Sequence, residues 1–121
     1  MRSIRLLQGA LCLALVFTLG CSSNKGKIEG TKWVNVASNL KGQPIPEGLI
    51  TLEFGSDKKL LFKAGFQTFT GTYSLGMGNN VTFNLDQEHQ GRKNHLEKIT
   101  IEGDTLTMTD NEGTVSFKKV Q

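Results

Sequence analysis

From Gly30 onward the apolar residues recur at every second position, and that period admits little besides β-sheet. It is clearest at Ile50-Leu52-Phe54 against Thr51-Glu53, and at Phe69-Gly71-Tyr73-Leu75 against Thr68-Thr70-Thr72. It recurs at Val81-Phe83-Leu85, at Ile99-Ile101, at Leu106-Met108 against Thr105-Thr107-Thr109, and at Val115-Phe117. One apolar face and one threonine-rich face per strand mark a sheet that is wet on one side. No window carries a helical period. The pattern predicts eight short strands at about 30–37, 49–54, 58–64, 67–75, 80–85, 95–102, 104–109 and 113–120.

Turn chemistry separates them at hairpin spacing: Gly55-Ser56-Asp57, Ala64-Gly65, Gly103-Asp104 and Asp110-Asn111-Glu112-Gly113. Two connections are longer. Asn39 to Gly48 holds both prolines and is excluded from a central strand. Asp86 to Asn94 is the most polar stretch, reads as a loop and contains His89. Strands joined in order by hairpins form an all-β, antiparallel, up-and-down meander. Eight of them with one apolar face close most economically into a small barrel, the alternative being a half-open curved sheet. The inward phase carries Trp33, Ile50, Leu52, Phe54, Leu60, Phe62, Phe69, Tyr73, Leu75, Val81, Phe83, Leu85, Ile99, Ile101, Leu106, Met108, Val115 and Phe117. So many large side chains on short strands favour a filled interior over one holding a ligand.

The first twenty residues are of another kind. Arg2 and Arg5 precede an uncharged apolar run from Ala10 to Leu19, too short to be a permanent membrane span, which is the layout of a signal-peptide helix. The run ends at Gly20-Cys21, and Ser22-Ser23-Asn24-Lys25-Gly26-Lys27 is polar at once. Thr18-Leu19-Gly20-Cys21 resembles the lipobox of bacterial lipoproteins, with Thr18 in place of the usual leucine. The resemblance implies cleavage before Cys21, a diacylglyceryl thioether on that cysteine and usually an acylated amino terminus. The expected product is attached to a membrane through Cys21, and Ser22 in the next position points to the outer membrane where the host has one. Residues 22–29 read as a flexible tether ahead of a domain over 30–121.

Cleavage takes Arg2 and Arg5 away, so the net charge of +3 on 121 residues becomes +1 on 101, enough chain for one small domain. No basic stripe with interleaved aromatics is present, which excludes nucleic acid as a partner. Cys12 leaves with the signal and Cys21 is taken by lipid, so a disulfide framework is excluded and packing alone must stabilise the domain. A monomer is expected.

Gly30-Thr31-Lys32-Trp33, Gly71-Thr72-Tyr73, Ile101-Glu102-Gly103-Asp104-Thr105-Leu106 and the stretch from Gly113 to Lys119 carry a second resemblance. The domain is similar to small bacterial lipocalin-like (calycin-type) proteins, secreted or lipid-anchored and mostly of unknown function. Lipocalins proper have their tryptophan one residue nearer the glycine and an arginine over it, for which only Lys118 or Lys119 could stand in here. The resemblance implies a fold more than a function, and allows a small apolar ligand in the barrel.

Chemistry is sparse. His89 and His95 lie in or beside the polar stretch near Asp86 and Glu88, a pattern expected to be solvated loop with no metal site. Glu97 is in phase with Ile99 and Ile101. Facing inward, its carboxylate would need a partner and could orient a ligand; a bulge returning it to water is the preferred expectation. Trp33, Phe62, Phe69 and Tyr73 either line a cavity mouth or plug the barrel. With no nucleophile motif in the domain, and Gly76-Met77-Gly78 followed by no helix, neither catalysis nor a cofactor is expected. Two functions remain. The first is a membrane-anchored interaction module of the cell envelope; the alternative is a carrier of a small apolar ligand.

Overall fold

The computed structural model describes residues 22–121, and the expected signal-peptide helix and Cys21 lie outside them. Ten strands follow in chain order. They are β1 (Thr31–Asn35), β2 (Ser38–Leu40), β3 (Gln43–Ile45), β4 (Ile50–Phe54), β5 (Lys59–Ala64), β6 (Gln67–Leu75), β7 (Asn80–His89), β8 (Arg92–Glu102), β9 (Thr105–Asp110) and β10 (Gly113–Val120). No helix occurs among the described residues. Eight strands pair in the order β1-β4-β5-β6-β7-β8-β9-β10, and β10 returns antiparallel onto β1 through Phe117↔Asn35 to Val120↔Lys32. The barrel is closed, so the half-open sheet is excluded.

Alternation has placed the side chains as the pattern predicts. Every residue assigned to the inward phase is buried in the core or, for Ile50, Phe62, Leu75 and Met108, packed half-buried against it. Phe54, Tyr73 and Phe83 meet at centroid distances of 5.1 and 6.1 Å from Phe54, edge-on and tilted, which favours the ring quadrupoles.

Antiparallel order gives the barrel two distinct ends. At one lie the turns 55–58, 76–79 and 103–104; at the other lie the turns 65–66, 90–91 and 111–112 and the crossover 36–49. The small hairpin β2–β3 sits in that crossover outside the barrel ladder, with Pro44 paired to Asn39 on a two-stranded sheet where a missing N–H is tolerated. Asn35, fully buried, organises the crossover: its side-chain amide donates to the carbonyls of Val36 and Pro46 at 3.1 and 2.9 Å, and its Oδ1 accepts from Ile50 N at 2.8 Å.

The stretch expected to be a free tether is folded against the first end. Ile28 is 1% exposed and joins the core, while Asn24 is buried and donates through Nδ2 to the Ile99 carbonyl at 2.9 Å. Ser22 bridges Gly78, and Ser23 N donates to the Gly78 carbonyl at 2.7 Å. A lone apolar residue in a polar run has no periodicity, which is why Ile28 escapes a pattern reading.

The second correction concerns the polar stretch 86–94. It is no loop: β7 runs on to His89 and β8 begins at Arg92. The two strands are joined by Gln90-Gly91, both at positive φ (56° and 78°), the backbone of a two-residue hairpin turn whose twist matches its strands.

Candidate functional site

Along β8, side chains at His95, Glu97, Ile99 and Ile101 are buried and those between them exposed. The bulge expected to return Glu97 to water is on the other strand: the β7–β8 register shifts between Asn84 and His89, beyond the Val81↔Glu97 pair. Glu97 therefore stays inside, 6% exposed, and His95 is buried beside it, not solvated.

These residues border a pocket of about 110 Å³ at the end of the barrel opposite Ser22. Ile50, Phe62, Phe83, Leu85, Met108 and Val115 form its apolar wall. His89, His95, Glu97, Asp110 and Glu112 supply polar groups, and Leu40 of the β2–β3 hairpin reaches over the rim. A Cβ at Gly113 would lie 2.5 Å from Leu40 Cδ1, so that rim is closely packed. The last β8–β9 pair is Lys98↔Thr109, which leaves Glu97 and Asp110 as the next residues along the two strands where the ladder stops.

Each polar group has a definable state. His95 Nε2 lies 2.9 Å from the Arg92 carbonyl, which can only accept, so Nε2 carries a hydrogen. The His89 ring stands edge-on to Phe62 and Phe69, at centroid distances of 5.3 and 4.8 Å, and 5.7 Å from His95. Burial and then the neighbouring His95 hold His89 below the ordinary imidazole pKa of 6.5, against an upward pull from Glu112, so it is neutral at neutral pH. Glu97 Oε1 is buried with no hydrogen-bond partner. Burial, followed by the charge of Asp110, pushes its carboxyl from 4.5 up to about 8, with Arg92 opposing.

The five aromatic and acidic residues singled out from sequence divide between the two ends. Glu97 and Phe62 line the pocket, and Phe69 stacks on Phe62 at 5.6 Å. Trp33 and Tyr73 lie towards the opposite end and do not line it. Trp33 is fully buried, with Nε1 donating to Thr31 Oγ1 at 2.8 Å, and Tyr73 donates its hydroxyl to the Gly55 carbonyl at 3.1 Å. Lys119, not Lys118, stands over the indole, with Nζ 6.0 Å from the ring centroid; Lys118 pairs with Glu47 at 2.8 Å. His95 was visible as a site residue only through its phase with Glu97, Ile99 and Ile101.

Among the described residues no three His, Cys, Asp or Glu side chains are arranged to hold a metal ion. Comparisons of the chain with protein-family models, with curated proteins and with solved structures gave no match.

Proposed function

We propose that the protein is a bacterial lipoprotein, attached to the cell envelope through lipid on Cys21, whose barrel is a non-catalytic interaction module. The observation that carries this reading is the position of Ser22, which is bonded to Cys21 in the chain and hydrogen-bonded at Gly78 on the closed end of the barrel. An anchor there turns the pocket, and the fully exposed Phe66 on the 65–66 turn at the same end of the barrel, away from the membrane and towards a partner. The signal-like amino terminus and the lipobox resemblance supply the anchor. A buried methylene contributes about 0.8 kcal/mol and one acyl chain holds only marginally, so the diacylglyceryl group is what makes attachment durable.

The alternative, a carrier of an apolar ligand within the barrel, has less room. Ligand cavities commonly span roughly 300–1,000 Å³. Here the core fills the interior and leaves about 110 Å³ at one end, enough for a small group and not for an acyl chain. Cys21→Ser is expected to shift the protein from the membrane to the soluble fraction on cell fractionation. A Cys21→Ser protein that stays with the membrane would overturn the anchor.

A further inference from the structure

Glu97 is anomalous in a core that otherwise satisfies its polar atoms. It is 6% exposed and lines the pocket, with Asp110 beside its carboxyl and Oε1 buried without a hydrogen-bond partner. Unsatisfied buried oxygens cost free energy, so their retention marks a place where something else completes the bond. What completes it can be read from the surroundings. Asp110 at the end of β9 and Glu112 on the following turn bring two more carboxyls to the same rim, and Arg92 on β8 is the guanidinium nearest them. From β7, His89 presents a neutral imidazole, and His95 is tied to a backbone carbonyl. The other strands around the pocket carry charges, among them Glu53, Lys63, Asp86, Glu88 and Lys118, but none of these lines it. Carboxyls thus outnumber cations at the mouth, and the wall behind them is Phe62, Phe83 and the His89 ring, whose faces attract positive charge.

We infer that this pocket receives a primary alkylammonium group, its charge on Glu97 and Asp110 and its methylenes against Phe62, Met108 and Val115. The volume fits: an apolar cavity of about 150 Å³ accepts benzene, and an ammonium on a short chain is of that order. The same chemistry is offered by a free small amine and by a lysine side chain on a partner. Arrival of the cation favours the ionised carboxyl, so binding releases a proton from Glu97 near neutral pH. The inference deepens the interaction-module reading and rests on it.

The test is a titration of the protein with n-butylammonium, followed by the His89 and His95 ring resonances, with 1-butanol as the neutral isostere. An acetylated, amidated lysine peptide is the second arm. Saturable shifts are expected with butylammonium, about tenfold or more weaker binding of butanol, and a loss of about tenfold or more in Glu97→Gln. Asp110→Asn, at an exposed position that leaves the core intact, is expected to weaken binding too. Butylammonium binding without peptide binding identifies a free amine as the ligand; peptide binding as well identifies a partner's lysine as able to enter. Equal affinity for butanol and butylammonium, or no saturable shift with butylammonium, overturns the inference. Either result leaves the anchor to be judged separately by the fractionation of Cys21→Ser.

Discussion

Glu97→Gln is expected to stabilise the protein, and to do so only above mildly acidic pH. A carboxyl raised from 4.5 to about 8 on folding binds its proton more tightly in the folded chain than in the unfolded one. Throughout that window the folded state holds more protons, so stability falls as pH rises and the loss is complete above the folded pKa. At about 1.4 kcal/mol per pKa unit the buried charge costs on the order of 3–5 kcal/mol at alkaline pH. Glutamine matches the protonated carboxyl in shape and has no charge to desolvate. Denaturant unfolding should therefore give nearly equal stabilities near pH 4.5, and a variant several kcal/mol more stable at about pH 8.5. His89 works in the opposite direction. Its depressed pKa makes stability fall as pH drops below 6.5, in both proteins alike, so the difference between the two curves isolates Glu97. A constant difference across the pH range would place the carboxyl in water.

Gly71→Ala is expected to be the most damaging small substitution in the barrel. Gly71 pairs with Leu85 on β7 and with Leu60 on β5. A Cβ on it would stand 2.1 Å from the Asn84 carbonyl oxygen and 2.8 Å from Leu85 Cα. Both are backbone atoms of a paired strand and cannot swing aside, so the ladder itself must open. The expected loss exceeds about 3 kcal/mol, or roughly 15 °C or more in Tm for a domain of this size. Gly55→Ala is the control: its added Cβ would meet Lys59 at 3.4 Å and its φ is ordinary, so its melting temperature should move little. Similar melting of the two variants would mean that β6 and β7 do not approach so closely.

These two positions show what the sequence could and could not express. The barrel was legible because its inward residues obey one period over seven separate segments, and a closed meander is the economical way to bury them. Gly71 was visible as a glycine in the middle of a strand, a known sign of close backbone approach. Which atoms approach it depends on register and on curvature, neither of which is local. The site was harder. A stretch as polar as Asp86 to Asn94 has the composition of a loop, yet Gln90-Gly91 turns it into a tight hairpin whose strands continue to the barrel rim. Continued back four residues from Ile99, the period already in hand places His95 with Glu97 inside. Polarity argued against continuing it, and the burial of a carboxyl beside Asp110 is decided by the point where the β8–β9 ladder stops. Asn24 and Ile28 illustrate the converse: a segment without period can still close a barrel, because one amide and one aliphatic side chain suffice to pin it.

The central claim is that the barrel is held at the membrane by its closed end with the pocket facing outward, and the direct measurement is depth. With Cys12 removed and Cys21 lipidated, a new cysteine at Met77 or at Phe66 is the one thiol free to carry a fluorophore on protein reconstituted in vesicles. Met77, exposed on the 76–79 turn next to Ser22, should be strongly quenched by nitroxide on the lipid headgroups, and Phe66 at the opposite end should not. Equal quenching at the two sites, or stronger quenching at Phe66, would contradict the account.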